Sequence, residues 1–166
     1  MDSIRQFLTD DHRRLEALLD GSGECHAPEE LAAYDEFRRG LLKHIGIEEK
    51  ILLTAAARLR GAPLEQAARL RLDHGALVSL LMPIPTPSII RAIRAMLSAH
   101  NPVEEDAGGV YDICEKLAGS EHDDLLEKIR RAPDVPTNPN VTTPRIIKAA
   151  KNALVRAGYD PSLLGD

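Results

Sequence analysis

An all-α chain, with four main helices running up-down-up-down as a bundle and further helices after them, is what this sequence predicts. Three observations point there. Apolar residues recur every three or four positions over long stretches, the period of a helix with one buried face. Prolines and N-cap residues stand where those patterns begin, glycines stand where they end, and the links between them are short. The composition is 43% hydrophobic but only 3% aromatic, without tryptophan, so the core is left to Leu, Ile, Val and Ala. No alternating apolar run bounded by turn residues suggests a sheet.

Taken in order, the first helix covers residues 3–20. Ser3 and Gln6 offer a capping box, Ile4, Leu8, His12, Leu15 and Leu19 form the stripe, and Gly21 ends it. The second covers residues 28–60, opened by Pro28 and closed by Gly61. Its stripe is Phe37, Leu41, then Ile51 or Leu52, Ala55 and Leu59, with His44 and Glu48 filling the gap. The third, residues 63–82, starts at Pro63 and runs Ala67, Leu70, His74, Leu77 and Leu81. The fourth, residues 87–118, starts at Thr86 and Pro87 and ends before Gly119. It runs Ile89, Ile93, Met96 or Leu97, then Ala107, Tyr111 and Cys114, and His100 and Glu104 occupy its gap. Short links make neighbours antiparallel.

The geometry carries one tension. His12 lies near the end of its helix and His44 far from the start of the next, a mismatch of about 12 Å at 1.5 Å per residue. Either the second helix overhangs the first, or residues 28–36 bend away.

Beyond the bundle, Ser120 is expected to cap a short helix reaching Arg131. APDVPTNPNVTTP (residues 132–144) reads as a linker. Residues 144–158, opened by Thr143 and Pro144, read as a last helix carrying Arg145, Lys148, Lys151 and Arg156. It is expected to pack its apolar face on the bundle with its cations in water, the alternative being an arm for a protein partner. The chain thus divides into a metal-binding bundle, residues 1–131, and a linker with C-terminal helix, residues 132–166.

A net charge of −5 argues against a dense cationic surface and so against nucleic-acid binding. No apolar run reaches the roughly 20 residues that span a bilayer. The N-terminus carries no recognisable secretory signal, and Cys25 and Cys114 show no disulfide-scaffold spacing, so a cytoplasmic protein with free thiols is expected.

Function is written in a repeat. DHRRLEALL (residues 11–19) returns as DHGALVSLL (residues 73–81), and HIGIEE (residues 44–49) returns as HNPVEE (residues 100–105). An HxxxE spacing alone means little, since His12 and His26 also have glutamates four residues on. What discriminates is the face: His12, His44, His74 and His100, with Glu48 and Glu104, all fall on apolar stripes. Six inward polar groups cannot go uncompensated in a protein only about 5–15 kcal/mol stable. Bound cations would satisfy them together. Imidazole and carboxylate without thiolate suit iron, manganese or zinc, and six donors favour a pair of ions over one closed four-coordinate site. Glu16, His26 and His122 read as surface residues; Tyr111, one to two turns past Glu104 on the same stripe, reads as a packed core tyrosine, the alternative being that it approaches the site.

On these motifs, over residues 3–118, the chain resembles the hemerythrin-like family, also called the HHE cation-binding domain. The resemblance implies a non-heme di-iron centre, two iron ions joined by an oxo or hydroxo bridge, for which manganese or zinc can substitute. By position, His12 and His44 would ligate one iron, His74 and His100 the other, and Glu48 and Glu104 would bridge. A ferritin-like site is disfavoured because no ExxH occurs. Two departures separate the chain from oxygen carriers of that family: Val78 stands where they have a second histidine, and the fourth-helix motif is HxxxE rather than a later Asp. The resemblance therefore implies binding or sensing of O2, NO or related redox signals, with peroxide decomposition or iron handling as the alternative.

Overall fold

The computed structural model describes residues 3–165, so Met1, Asp2 and Asp166, at the outer ends of the two segments read above, lie outside it. Every regular element among those residues is helical. The elements are α1 (Ile4–Gly21), α2 (Pro28–Ile47), a π-helical turn (Glu48–Leu52) continuing into α3 (Leu53–Arg60), α4 (Ala67–Leu80), α5 (Pro87–Glu105), α6 (Val110–Ala118), α7 (His122–Arg130) and α8 (Pro144–Arg156), with 3-10 turns at Gly119–Glu121 and Pro161–Leu164. None of these helices is long and apolar enough to cross a membrane.

Side-chain caps open three of the helices. The hydroxyls of Ser3, Thr86 and Thr143 accept from the backbone N–H of Gln6, Ile89 and Ile146. Gln6 does not close a capping box, because its amide donates to Asp10 at 2.7 Å. Ala27 has no side chain to cap α2; Glu30 Oε2 accepts from His26 N–H and Ala27 N–H instead. Pro63 does not open a helix: Leu64 turns into the core and α4 starts at Ala67. Ser120 lies in a 3-10 turn, Gly119–Glu121, and caps nothing, so α7 follows from His122 without a side-chain cap.

Neighbouring helices run antiparallel. Along α1 and α2, Gly21 faces Ala33, Leu15 lies against Gly40, and Asp11 reaches His44. The start of α2 therefore overhangs the end of α1, which resolves the 12 Å mismatch. Arg38 of α2 donates to the Leu81 carbonyl at the end of α4, while Glu49 reaches His74 near its middle. Between α4 and α5, Asp73 meets His100. Between α5 and α1, Glu105 meets His12 and Arg94 meets Asp20.

Two apolar clusters result. One gathers Leu15, Leu19, Phe37, Leu41, Leu77, Leu80, Ile93 and Met96; the other gathers Ile4, Leu8, Leu52, Leu70, Val110, Leu126 and Ile129. His12 sits between Leu8 and Leu15, and His74 between Leu70 and Leu77. The histidines thus form a polar layer between two dry halves.

Two local departures from straight helices shape that layer. After Glu48 the backbone widens, with Leu53 N–H bonded to Glu48 O, five residues back. Leu52 is buried, as the stripe allows, but beyond it the extra residue moves the buried face from the expected Ala55 and Leu59 to Leu53 and Ala56. The predicted fourth helix is broken: Asp106 is extended, Gly108 has φ +79°, and Gly109 N–H bonds to Asp106 O at 2.7 Å. The chain turns there and returns as α6, which packs on α1, α3 and α5. A Cβ on Gly109 would lie 2.7–2.9 Å from the carbonyl oxygens of Glu104, Asp106 and Val103. Backbone atoms cannot move aside like a flexible side chain, so Gly109→Ala is expected to destabilise the fold by about 2 kcal/mol in urea unfolding.

The C-terminal part is docked. Residues 133–143 have no regular structure, yet Asn140 Nδ2 donates to Leu81 O and Pro83 O, and Val141 N–H to Met82 O. α8 packs on α4, burying Ala150, Ala153 and Leu154. Cys25 and Cys114 are both free thiols.

Candidate metal centre

All six residues singled out in the sequence come together. The side chains of His12, His44, Glu48, His74, His100 and Glu104 are 1–4% exposed. Their donor atoms form two groups: His12, His44 and Glu48 in one, Glu48, His74, His100 and Glu104 in the other. Glu48 belongs to both. Rings pair within the groups, with centroids 4.5 Å apart for His12 and His44 and 4.9 Å for His74 and His100.

Each histidine is aimed from behind. His12 donates its Nδ1–H to Glu105 at 2.6 Å, His44 to Asp11 at 2.7 Å, His74 to Glu49 at 2.7 Å and His100 to Asp73 at 3.1 Å. A carboxylate on Nδ1 fixes the ring and turns Nε2 inward, the orientation metal-binding imidazoles take. The pattern has a simple rule. The Asp before each first histidine supports the second histidine of its own helix pair, and the second Glu of each HxxxEE supports a histidine of the other pair. Sequence reasoning quoted these four letters without assigning them a task. Their repetition in both halves was the available signal.

Inside the layer, Glu48 Oε1 lies 3.1 Å from His44 Nε2 and Glu48 Oε2 lies 3.2 Å from His74 Nε2. Glu104 Oε2 lies 3.3 Å from His100 Nε2 and 3.5 Å from His12 Nε2. Proximity does not satisfy them all. Glu48 Oε2, Glu104 Oε1 and His74 Nε2 are buried without any hydrogen-bond partner. Leaving such groups unpaired costs roughly 1–3 kcal/mol each, more when charged. A cation among them would meet all three, and the donor set fits one: imidazole nitrogens and carboxylate oxygens with inward lone pairs. These buried groups could hold a metal ion.

Without a cation, protons do that work. Burial alone would lower the histidine pKa values, but nearby carboxylates outweigh it. Glu48 and Asp11 raise His44 to about 10; Glu104, Glu48 and Glu49 raise His74 to about 11; Asp73 and Glu104 raise His100 to about 9. Burial works against the charge on Glu48, yet His44 and His74 hold its carboxyl well below the usual range.

Tyr111 is buried as expected, but its hydroxyl is part of the site. It donates to Glu48 Oε1 at 2.5 Å and lies 3.2 Å from Glu104 Oε2, 3.2 Å from His12 Nε2 and 3.3 Å from His44 Nε2. Burial, with Glu48 and Glu104 beside it, holds that hydroxyl protonated well above the ordinary phenol range. One turn on, burial and the same carboxylates push the Cys114 thiol up to about 12, so it stays neutral. His26 is exposed and His122 pairs with Glu115 and Asp123, both away from the layer.

Asp73 is fully buried, unlike Asp11, Glu49 and Glu105, which reach solvent at one edge. Water cannot replace it behind His100. Asp73→Asn is accordingly expected to weaken zinc binding ten- to a hundredfold, read by chelator competition.

No protein-family model, curated protein or solved structure matches the chain in the three comparisons made.

Proposed function

We propose that α1, α2 with α3, α4 and α5 form an up-down-up-down four-helix bundle of hemerythrin-like type that holds two iron ions and binds or senses O2, NO or a related redox signal. The antiparallel contacts of each helix with the next support the bundle, and the doubled DH and HxxxEE motifs support the pair of ions. In this reading His12 and His44 hold one ion, His74, His100 and Glu104 the other, and Glu48 is shared between them. The observation that carries it is the set of atoms without a hydrogen-bond partner, Glu48 Oε2, Glu104 Oε1 and His74 Nε2, buried close together in the polar layer.

Iron so held would supply the one-electron and O2 chemistry that no amino-acid side chain here provides. The same donors would accept manganese or zinc. The chain's own residues do the rest. Leu8, Leu15, Leu70 and Leu77 flank the layer and exclude bulk water. The near-complete burial of the six donors restricts what arrives to molecules the size of O2, NO or peroxide. The outer carboxylates Asp11, Glu49 and Glu105 keep the imidazoles oriented and give their Nδ1 protons a fixed acceptor. The free thiols Cys25 and Cys114 fit a reducing compartment such as the cytoplasm. α8 packs on the helix that carries His74 and offers a route by which a change at the centre reaches a protein partner.

The test is to prepare reduced, iron-loaded protein anaerobically and to titrate separate samples with NO and with O2. The expected result is a change in absorption that saturates in proportion to bound iron. No change with either gas, alongside rapid consumption of hydrogen peroxide, would overturn the sensing reading in favour of an enzyme.

A further inference from the structure

We propose that Tyr111 is itself a metal ligand, completing the set around the ion held by His12, His44 and Glu48; this rests on the iron reading above. The two groups of donors are unequal, since one has Glu48, His74, His100 and Glu104 and the other only His12, His44 and Glu48. The Tyr111 oxygen stands at the missing corner. It lies 2.5 Å from Glu48 Oε1, 3.2 Å from His12 Nε2 and 3.3 Å from His44 Nε2. The phenol oxygen is thus close enough to both imidazole nitrogens to share one ion with them, and its 2.5 Å contact with Glu48 is a short hydrogen bond. A hydroxyl that needed only a hydrogen-bond acceptor would be satisfied by one carboxylate, whereas this one meets donors from α1, α2 and α5 together.

The backbone is arranged for that contact. A straight continuation of α5 would carry residue 111 about 10 Å beyond Glu104 along the helix axis. The turn at residues 106–109, closed around a Gly109 that leaves no room for a Cβ, returns the chain so that Tyr111 stands level with Glu48. As the metal–oxygen bond forms, the O–H bond breaks and the proton now directed at Glu48 leaves to solvent. No electron changes hands in that step.

The test is spectroscopic. Ferric-loaded protein is expected to show a phenolate-to-iron charge-transfer band in the visible, and resonance Raman excited within it to show phenolate ring modes. Tyr111→Phe should abolish both, while Tyr34→Phe, remote from the layer, should keep both. Iron is measured on the same samples. Bound iron without the band or modes in the unmodified protein overturns the ligand role and leaves the iron reading standing. Modes that persist in Tyr111→Phe also overturn it, and absence of iron uptake overturns both. Should Tyr111→Phe fail to fold, the spectrum of the unmodified protein still decides.

Discussion

Glu48→Ala is expected to take iron content from about two ions per chain to near none, whereas Glu104→Ala is expected to spare the His12 and His44 half. The asymmetry follows from membership: Glu48 supplies an oxygen to both groups of donors and Glu104 to one. Losing a group that touches the ion should exceed the ten- to hundredfold expected for an outer carboxylate. Elemental analysis beside circular dichroism separates loss of metal from loss of helix. Equal iron in the two variants would show that Glu48 does not join the two halves.

Loss of stability of the metal-free protein at alkaline pH is the second large effect. Burial opposes protonation of His44, His74 and His100, but their carboxylate partners raise them to about 10, 11 and 9, from an ordinary 6.5. A pKa raised by folding stabilises fully below the unfolded value and loses that contribution as pH rises through the folded one. For these groups the window runs from about pH 6.5 to 11. Glu48, held below its ordinary 4.5 despite burial, works oppositely: its contribution is present above that value and lost as pH falls. Metal-free protein should therefore be most stable between about pH 5 and 6.5. It should lose on the order of a few kcal/mol between pH 7 and 9.5, because three imidazoles share a few carboxylates and their shifts do not add. On the proposed metal-binding reading, cations would take the place of those protons, so loading should release protons and affinity should rise with pH. Urea unfolding at pH 7 and 9.5, with and without metal, reads the difference. A flat metal-free profile would mean the histidines are neutral.

The helices and the six inward donors were legible because a stripe with polar interruptions has only one cheap explanation. Buried polar groups must be compensated, and the doubled motif placed six of them in one layer. The four supporting carboxylates were visible as letters, yet helical phase puts Asp11, Glu49, Asp73 and Glu105 beside the stripe, where an exposed acid also belongs. Only the pairing of helices distinguishes the two. The break at residues 106–109 was missed because Ala107, Tyr111 and Cys114 keep the helical phase across it. Gly108 and Gly109 together, after an Asp, were the better guide. The stripe did let Tyr111 approach the site, but on a straight helix it would lie well past Glu104; the break is what brings its hydroxyl to Glu48. The π turn was not legible, because Glu48–Leu52 contains good helix formers.

Iron per chain tests the central claim most directly. Purified metal-free protein would be loaded anaerobically with ferrous iron, freed of excess by gel filtration and analysed for metal and protein. About two ions per chain is the result expected of two donor groups joined through Glu48. A value near zero after loading would contradict it, and would mean that the inward histidines are held by protons and carboxylates alone.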